Sequence, residues 1–107
     1  MKTIQISDEV YNFIQAEAAA KNIPDSNYVR SLILTQACIE AIARINTLPV
    51  GKTFDLPMLF GSDWAKFYMF KGSIGKRFKA LVDSGTVSTV TPLGYGGTVG
   101  DMQYERL

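Results

Sequence analysis

The chain has 107 residues, 47% hydrophobic and 20% charged, which suits one domain or two very small ones sharing a core and excludes a compositionally disordered chain. Eleven basic against ten acidic residues leave a net charge of +1, so whole-chain charge names no partner. Histidine is absent and cysteine occurs once, at Cys38, which removes His-based acid–base and nucleophile chemistry, imidazole zinc sites and any intramolecular disulfide. The expectation is a binding module of a reduced, cytoplasmic setting that is not an enzyme and has no cofactor and no evident small-molecule substrate.

The N-terminus lacks the apolar stretch of a signal peptide, and no apolar run is long enough to span a membrane. Residues 1–6 alternate, with Ile4 and Ile6 on one face and Thr3 and Gln5 on the other, which predicts a half-buried strand that needs a partner strand. Ser7 is a good N-cap, and Asp8 and Glu9 suit the positive end of a helix. Val10, Phe13, Ile14 and Ala18 then follow at helical spacing, predicting a helix over 8–21. Asn22-Ile23-Pro24-Asp25 breaks it, and Asp25 or Ser26 caps a second helix over 26–45. Val29, Leu32, Ile33, Ala37, Ile39, Ala41, Ile42 and Ile45 cover most of that helix, so it is expected to be buried on more than one side and to serve two cores.

After Thr47 the texture changes. Leu48-Pro49-Val50-Gly51 reads as a turn, Lys52-Thr53-Phe54 as a very short strand, and Asp55 as the cap of a short helix over 56–60 with Pro57 in its first turn. Gly61-Ser62-Asp63 ends it. Trp64, Phe67, Tyr68 and Phe70 form an aromatic cluster, read as core or as a platform for bases. Gly72-Ser73 opens a helix whose stripe is Ile74, Phe78, Leu81 and Val82 and which ends at Ser84-Gly85. Residues 86–91 are β-rich, 92–100 contain four glycines and read as a flexible loop with Tyr95 exposed at its tip, and 101–106 return as a hairpin strand.

Lys66, Lys71, Lys76, Arg77 and Lys79 lie between Trp64 and Val82 with no acidic residue among them, a basic patch inside a near-neutral chain. Lys76 and Lys79 share a helix face, with Arg77 expected beside them. The order long helix, short strand, short helix, helix, hairpin is that of a winged helix, with 92–100 as the wing. Gly94-Tyr95-Gly96-Gly97 lacks the Gly-Lys-Ser/Thr ending and following helix of a phosphate-binding loop, so nucleotide binding is not expected from it, and the Gly-Lys-Thr of 51–53 lacks the upstream glycine and reads as a chance match. Cys38 reads as an inert packing residue.

Strand, helix, helix at the N-terminus has one recurrent solution: two copies pair their strands and interlock four helices. Met1-Lys2-Thr3-Ile4-Gln5-Ile6 with Ser7-Asp8-Glu9-Val10, and Asp25-Ser26-Asn27-Tyr28-Val29-Arg30-Ser31-Leu32, resemble the ribbon-helix-helix family. Residues 1–14 look closest to the N-terminal segment of the SeqA replication sequestration proteins. The resemblance implies a homodimer held through Ile4, Ile6, Val10 and Phe13. It implies Thr3 and Gln5 facing base edges, and backbone N–H groups near Ser26 and Asn27 on a phosphate. The alternative, as in the SeqA segment, is that the first half serves self-association alone; residues 1–50 hold four basic and five acidic side chains. Leu48-Pro49-Val50-Gly51-Lys52-Thr53-Phe54 with Leu59, Phe60 and Trp64 is similar to an uncharacterised bacterial domain family, a likeness that implies no activity.

The expected fold is α+β. A ribbon-helix-helix-like dimerisation element over 1–46 and a winged-helix-like unit over 47–107 share a long central helix. The expected function is that of a small homodimeric protein of bacterial, phage or plasmid type, a transcriptional or replication regulator binding double-stranded DNA. The expected contact set is Lys71, Ser73, Lys76, Arg77, Lys79 and Tyr95, with Thr3 and Gln5. The alternative is a protein-interaction module, antitoxin-like or a phage inhibitor, whose basic patch meets an acidic protein. Single-strand binding through Tyr95 and exposed aromatics is a third reading.

Overall fold

The computed structural model describes residues 7–96 and 100–107. The strand expected over 3–6, and with it Thr3, Ile4, Gln5 and Ile6, lies outside the described residues. The fold is α+β, with helices α1 (Asp8–Ala20), α2 (Asp25–Ile45), α3 (Leu56–Phe60) and α4 (Lys71–Asp83), a 3-10 segment at Gly61–Phe70, and strands β1 (Thr53–Phe54), β2 (Val90–Tyr95) and β3 (Met102–Arg106). The chain divides into two compact units, Met1–Ile33 and Leu34–Leu107, so the division falls within α2.

In the first unit, Ser7 caps α1 by accepting a hydrogen bond from the Val10 amide at 3.3 Å. Asn22 takes a left-handed conformation (φ 55°), and the Ile23 amide reaches back to the Ala18 carbonyl at 3.0 Å, closing the helix. The start of α2 differs from expectation. The Pro24 carbonyl receives the Asn27 and Tyr28 amides, both at 3.1 Å, so Asp25 already sits inside the first turn. Within this unit only Ala18 and Tyr28 are buried among the described residues.

The second unit holds a continuous core to which every one of its elements contributes: Ala37, Ala41 and Ile45 from α2, Phe54 from β1, Phe60 from α3, Phe67 from the 3-10 segment, Ile74 and Phe78 from α4, Val90 from β2 and Tyr104 from β3. As expected, α2 gives buried side chains to both units, Tyr28 in the first and a stripe in the second, though it is not buried all round. Leu34, Ala37, Cys38, Ala41 and Ile45 form one buried stripe, while Ile39, Val29 and Leu32 are exposed. Asp55, fully buried, caps α3 through Oδ1, which accepts from the Met58 amide at 2.8 Å. Arg44 ties the end of α3 to α2, donating to the Leu59 and Phe60 carbonyls at 3.3 and 3.1 Å and to the Asp63 carboxylate.

The antiparallel sheet has the order β1-β3-β2, so β3 is central, with Phe54 opposite Tyr104 and Val90 opposite Arg106. The Tyr104 ring stacks on Phe54 at 5.8 Å and meets the Phe78 edge at 5.1 Å. The flexible loop expected over 92–100 is corrected: its first four residues belong to β2. Pro92, which lacks an amide donor, is tolerated because β2 is an edge strand. Gly94 (φ 121°) sits where the register shifts relative to Pro92, a β-bulge. The proline and glycine that read as a loop mark an irregular edge strand.

Candidate functional site

α4 is amphipathic. Ile74, Phe78 and Val82 face the core, at spacings of four residues, and the polar residues between them divide onto two flanks. On one flank, Lys71, Lys76 and Lys79 border a cleft of about 500 Å³. Gly72 and Gly75 lie between the lysines, Leu56, Pro57 and Trp64 form another wall, and the hairpin supplies Tyr95, Asp101, Met102 and Tyr104. Lys71, Lys76, Lys79 and Tyr95, taken from the sequence as one contact set, are thus brought together around one concavity. Tyr95 is 74% exposed, at the end of β2 and not at a loop tip.

Arg77 is not part of this surface. It occupies the other flank of α4 and donates to the Thr35 hydroxyl at 2.9 Å, beside Cys38 and Ile42. One residue along a helix is a turn of about 100°, enough to separate it from Lys76. Ser73, half-buried, does not line the cleft. Nor is the basic patch unopposed. Lys79 Nζ pairs with Asp83 at 2.7 Å and Lys66 Nζ with Glu40 at 3.7 Å. The hydrogen bond and charge of Asp83 hold the Lys79 ammonium above its ordinary pKa. Lys71 and Lys76 have no acidic partner within salt-bridge distance among the described residues.

Burial, with the charge of Asp55, pushes the Asp101 carboxyl up. Burial likewise pushes the Cys38 thiol up, which fits an inert packing group. The aromatic cluster divides. Phe60, Trp64 and Phe67 pack ring to ring at 5.2–5.8 Å, whereas Tyr68 is 80% exposed, with a strained backbone (φ 21°, ψ −90°). Val10 and Phe13, the described part of the expected dimer contact, are exposed on α1, as is Tyr11.

Sequence reasoning missed Gly72, Gly75, Trp64 and Asp101 as cleft residues. A signal was present for the glycines: two of them in the first half of a helix, interleaved with lysines, where helix propensity argues against glycine. Among the described residues no three His, Cys, Asp or Glu side chains gather to hold a metal ion. No helix there is long and apolar enough to cross a membrane.

The profile of a family described as a domain of unknown function (DUF1413) matches residues 39–106, more than half of the chain. No curated protein matches the chain, and no solved structure does.

Proposed function

The chain belongs to the DUF1413 family, and we propose that it is a homodimeric protein that binds double-stranded DNA through the cleft face of α4 and the β2–β3 hairpin, as a regulator of transcription or replication. The observation that carries this reading is the convergence of Lys71, Lys76, Lys79 and Tyr95 on one surface. Lysines without carboxylate partners gain most from phosphate, because each contact releases condensed counterions. Helix, strand, helix, 3-10 segment, helix and hairpin, with sheet order β1-β3-β2, support a winged-helix reading of the second unit. In that reading α4 approaches the groove and the hairpin meets the backbone beside it.

Self-association is supported by the first unit. Val10, Tyr11, Phe13, Val29 and Leu32 are exposed there while only Ala18 and Tyr28 are buried among the described residues. A unit of this size lacks a core of its own, and a second copy is the usual remedy. A lone buried cysteine supports a reducing, cytoplasmic setting. Anisotropy titration of a labelled mixed-sequence duplex at two salt concentrations tests the reading: affinity falls steeply with salt. Absence of duplex binding, with the fold intact, returns the molecule to the protein-interaction reading.

A further inference from the structure

We propose that the cleft between α4 and the β2–β3 hairpin is a nucleotide subsite, holding phosphate between Lys71 and Lys76 and a base against Tyr95. The site shares its lysines with the duplex reading but stands without it, since a free nucleotide and a nucleotide of an unpaired strand carry the same chemistry.

Shape comes first. At about 500 Å³ the cleft lies in the range of small-molecule sites, and its lining mixes apolar walls with a few polar groups. The polar groups are unlike on the two sides. α4 offers amines and the hairpin offers the Asp101 carboxylate. Lys71 and Lys76 are five residues apart on one helix, about 7.5 Å along its axis and about 140° around it, so their amines border the cleft from two edges with Gly72 and Gly75 between them. Lys79 is occupied by Asp83, which leaves those two amines as the ones calling for an outside anion.

Gly72 and Gly75 fit the same ligand. Glycine is a poor helix former, and a Cβ added at either position meets nothing within 4 Å, so packing inside the chain does not require them. Bare backbone between two amines lets a phosphate approach the helix closely. Opposite, Tyr95 offers an exposed ring on which a base stacks. Asp101 accepts from the exocyclic amino group that adenine, cytosine and guanine carry.

Trp64, the chain's one tryptophan, lines this cleft and reports its occupancy. Its fluorescence is titrated with dATP, with single-stranded oligo-dA, with inorganic pyrophosphate and with a mixed-sequence duplex. The expected result is a saturable change with dATP or oligo-dA, the tighter of the two identifying the source as free nucleotide or unpaired strand. Pyrophosphate binds more weakly by about tenfold, the worth of a stacked base. Tyr95→Ala weakens dATP about tenfold and leaves pyrophosphate unchanged. Lys71→Gln with Lys76→Gln weakens both, and Gly75→Val, on open helix surface, blocks the cleft while circular dichroism shows an unaltered fold. No saturable response to dATP or oligo-dA overturns the proposal, as does pyrophosphate binding as tightly as dATP. Duplex binding without either response overturns this subsite alone, whereas a dATP response without duplex binding overturns the duplex reading alone.

Discussion

The two units of this chain use similar residues to different ends. Val10, Phe13, Val29 and Leu32 are set at helical spacing in the first unit and remain exposed, while Ile74, Phe78 and Val82 are set at helical spacing in the second and are buried. Periodicity alone therefore does not say what a stripe is buried against. The second unit meets its stripes with a three-stranded sheet and a ring cluster. The described part of the first unit has two short helical stretches and two buried side chains, which leaves Val10, Tyr11, Phe13, Val29 and Leu32 exposed.

The comparison is broken most forcefully in the core of the second unit. Phe78→Ala, at a position with no exposure, is expected to cost about 3–5 kcal/mol in urea denaturation. Next comes pH. Burial pushes the Tyr104 phenol up to about 12, above its unfolded value near 10, so its contribution is full below about pH 10 and is lost as pH rises toward 12. Alkaline denaturation followed by near-ultraviolet circular dichroism is expected to show a loss on the order of 2–3 kcal/mol across that window, abolished in Tyr104→Phe.

Arg44→Ala follows, at about 1–3 kcal/mol, because the Leu59 and Phe60 carbonyls lose a charged donor. The Asp63 partner gives this site a sign of its own. The Arg44 hydrogen bond holds its carboxyl below the ordinary carboxylate value. Stability from that pair is thus present above the ordinary value and lost as pH falls through the lowered one, and thermal melts of Arg44→Ala are expected to show a shallower acid limb than the parent. The smallest stability effect belongs to the first unit. Phe13→Ala, at a position 57% exposed, changes the unfolding free energy of the dilute, unassociated chain by less than about 0.5 kcal/mol, yet is expected to weaken self-association in sedimentation. A Phe13→Ala chain that sediments like the parent sinks the self-association reading of this face.

Much of the local structure was legible because its causes are local. Ser7 and Asp55 cap the helices they were expected to cap, and the core stripe of α4 is the one its spacing predicts. Errors arose where a residue has two structural uses. Pro92 and Gly94 signal a loop in a chain read linearly and an edge strand with a bulge once β3 supplies a neighbour. The basic run showed which side chains carry charge, but not that Glu40 and Asp83 face two of them or that Arg77 turns toward Thr35. The cleft was the least legible feature. Its walls come from residues 56–64, 71–79, Tyr95 and 100–104, and no motif spacing links Trp64 to Asp101.

The central claim is that the cleft flank of α4 is a phosphate-binding surface and its opposite flank is structural. It is tested most directly by the salt dependence of duplex binding for the parent, for Lys71→Gln with Lys76→Gln, and for Arg77→Gln. Each phosphate contact contributes about −0.9 to the slope of log affinity against log salt. The slope is expected to flatten by about 2 per bound protomer in the double variant and to stay near the parent's in Arg77→Gln, with all three chains folded. A double variant with the parent's slope, or an Arg77→Gln chain that loses as much as the double variant, contradicts the account.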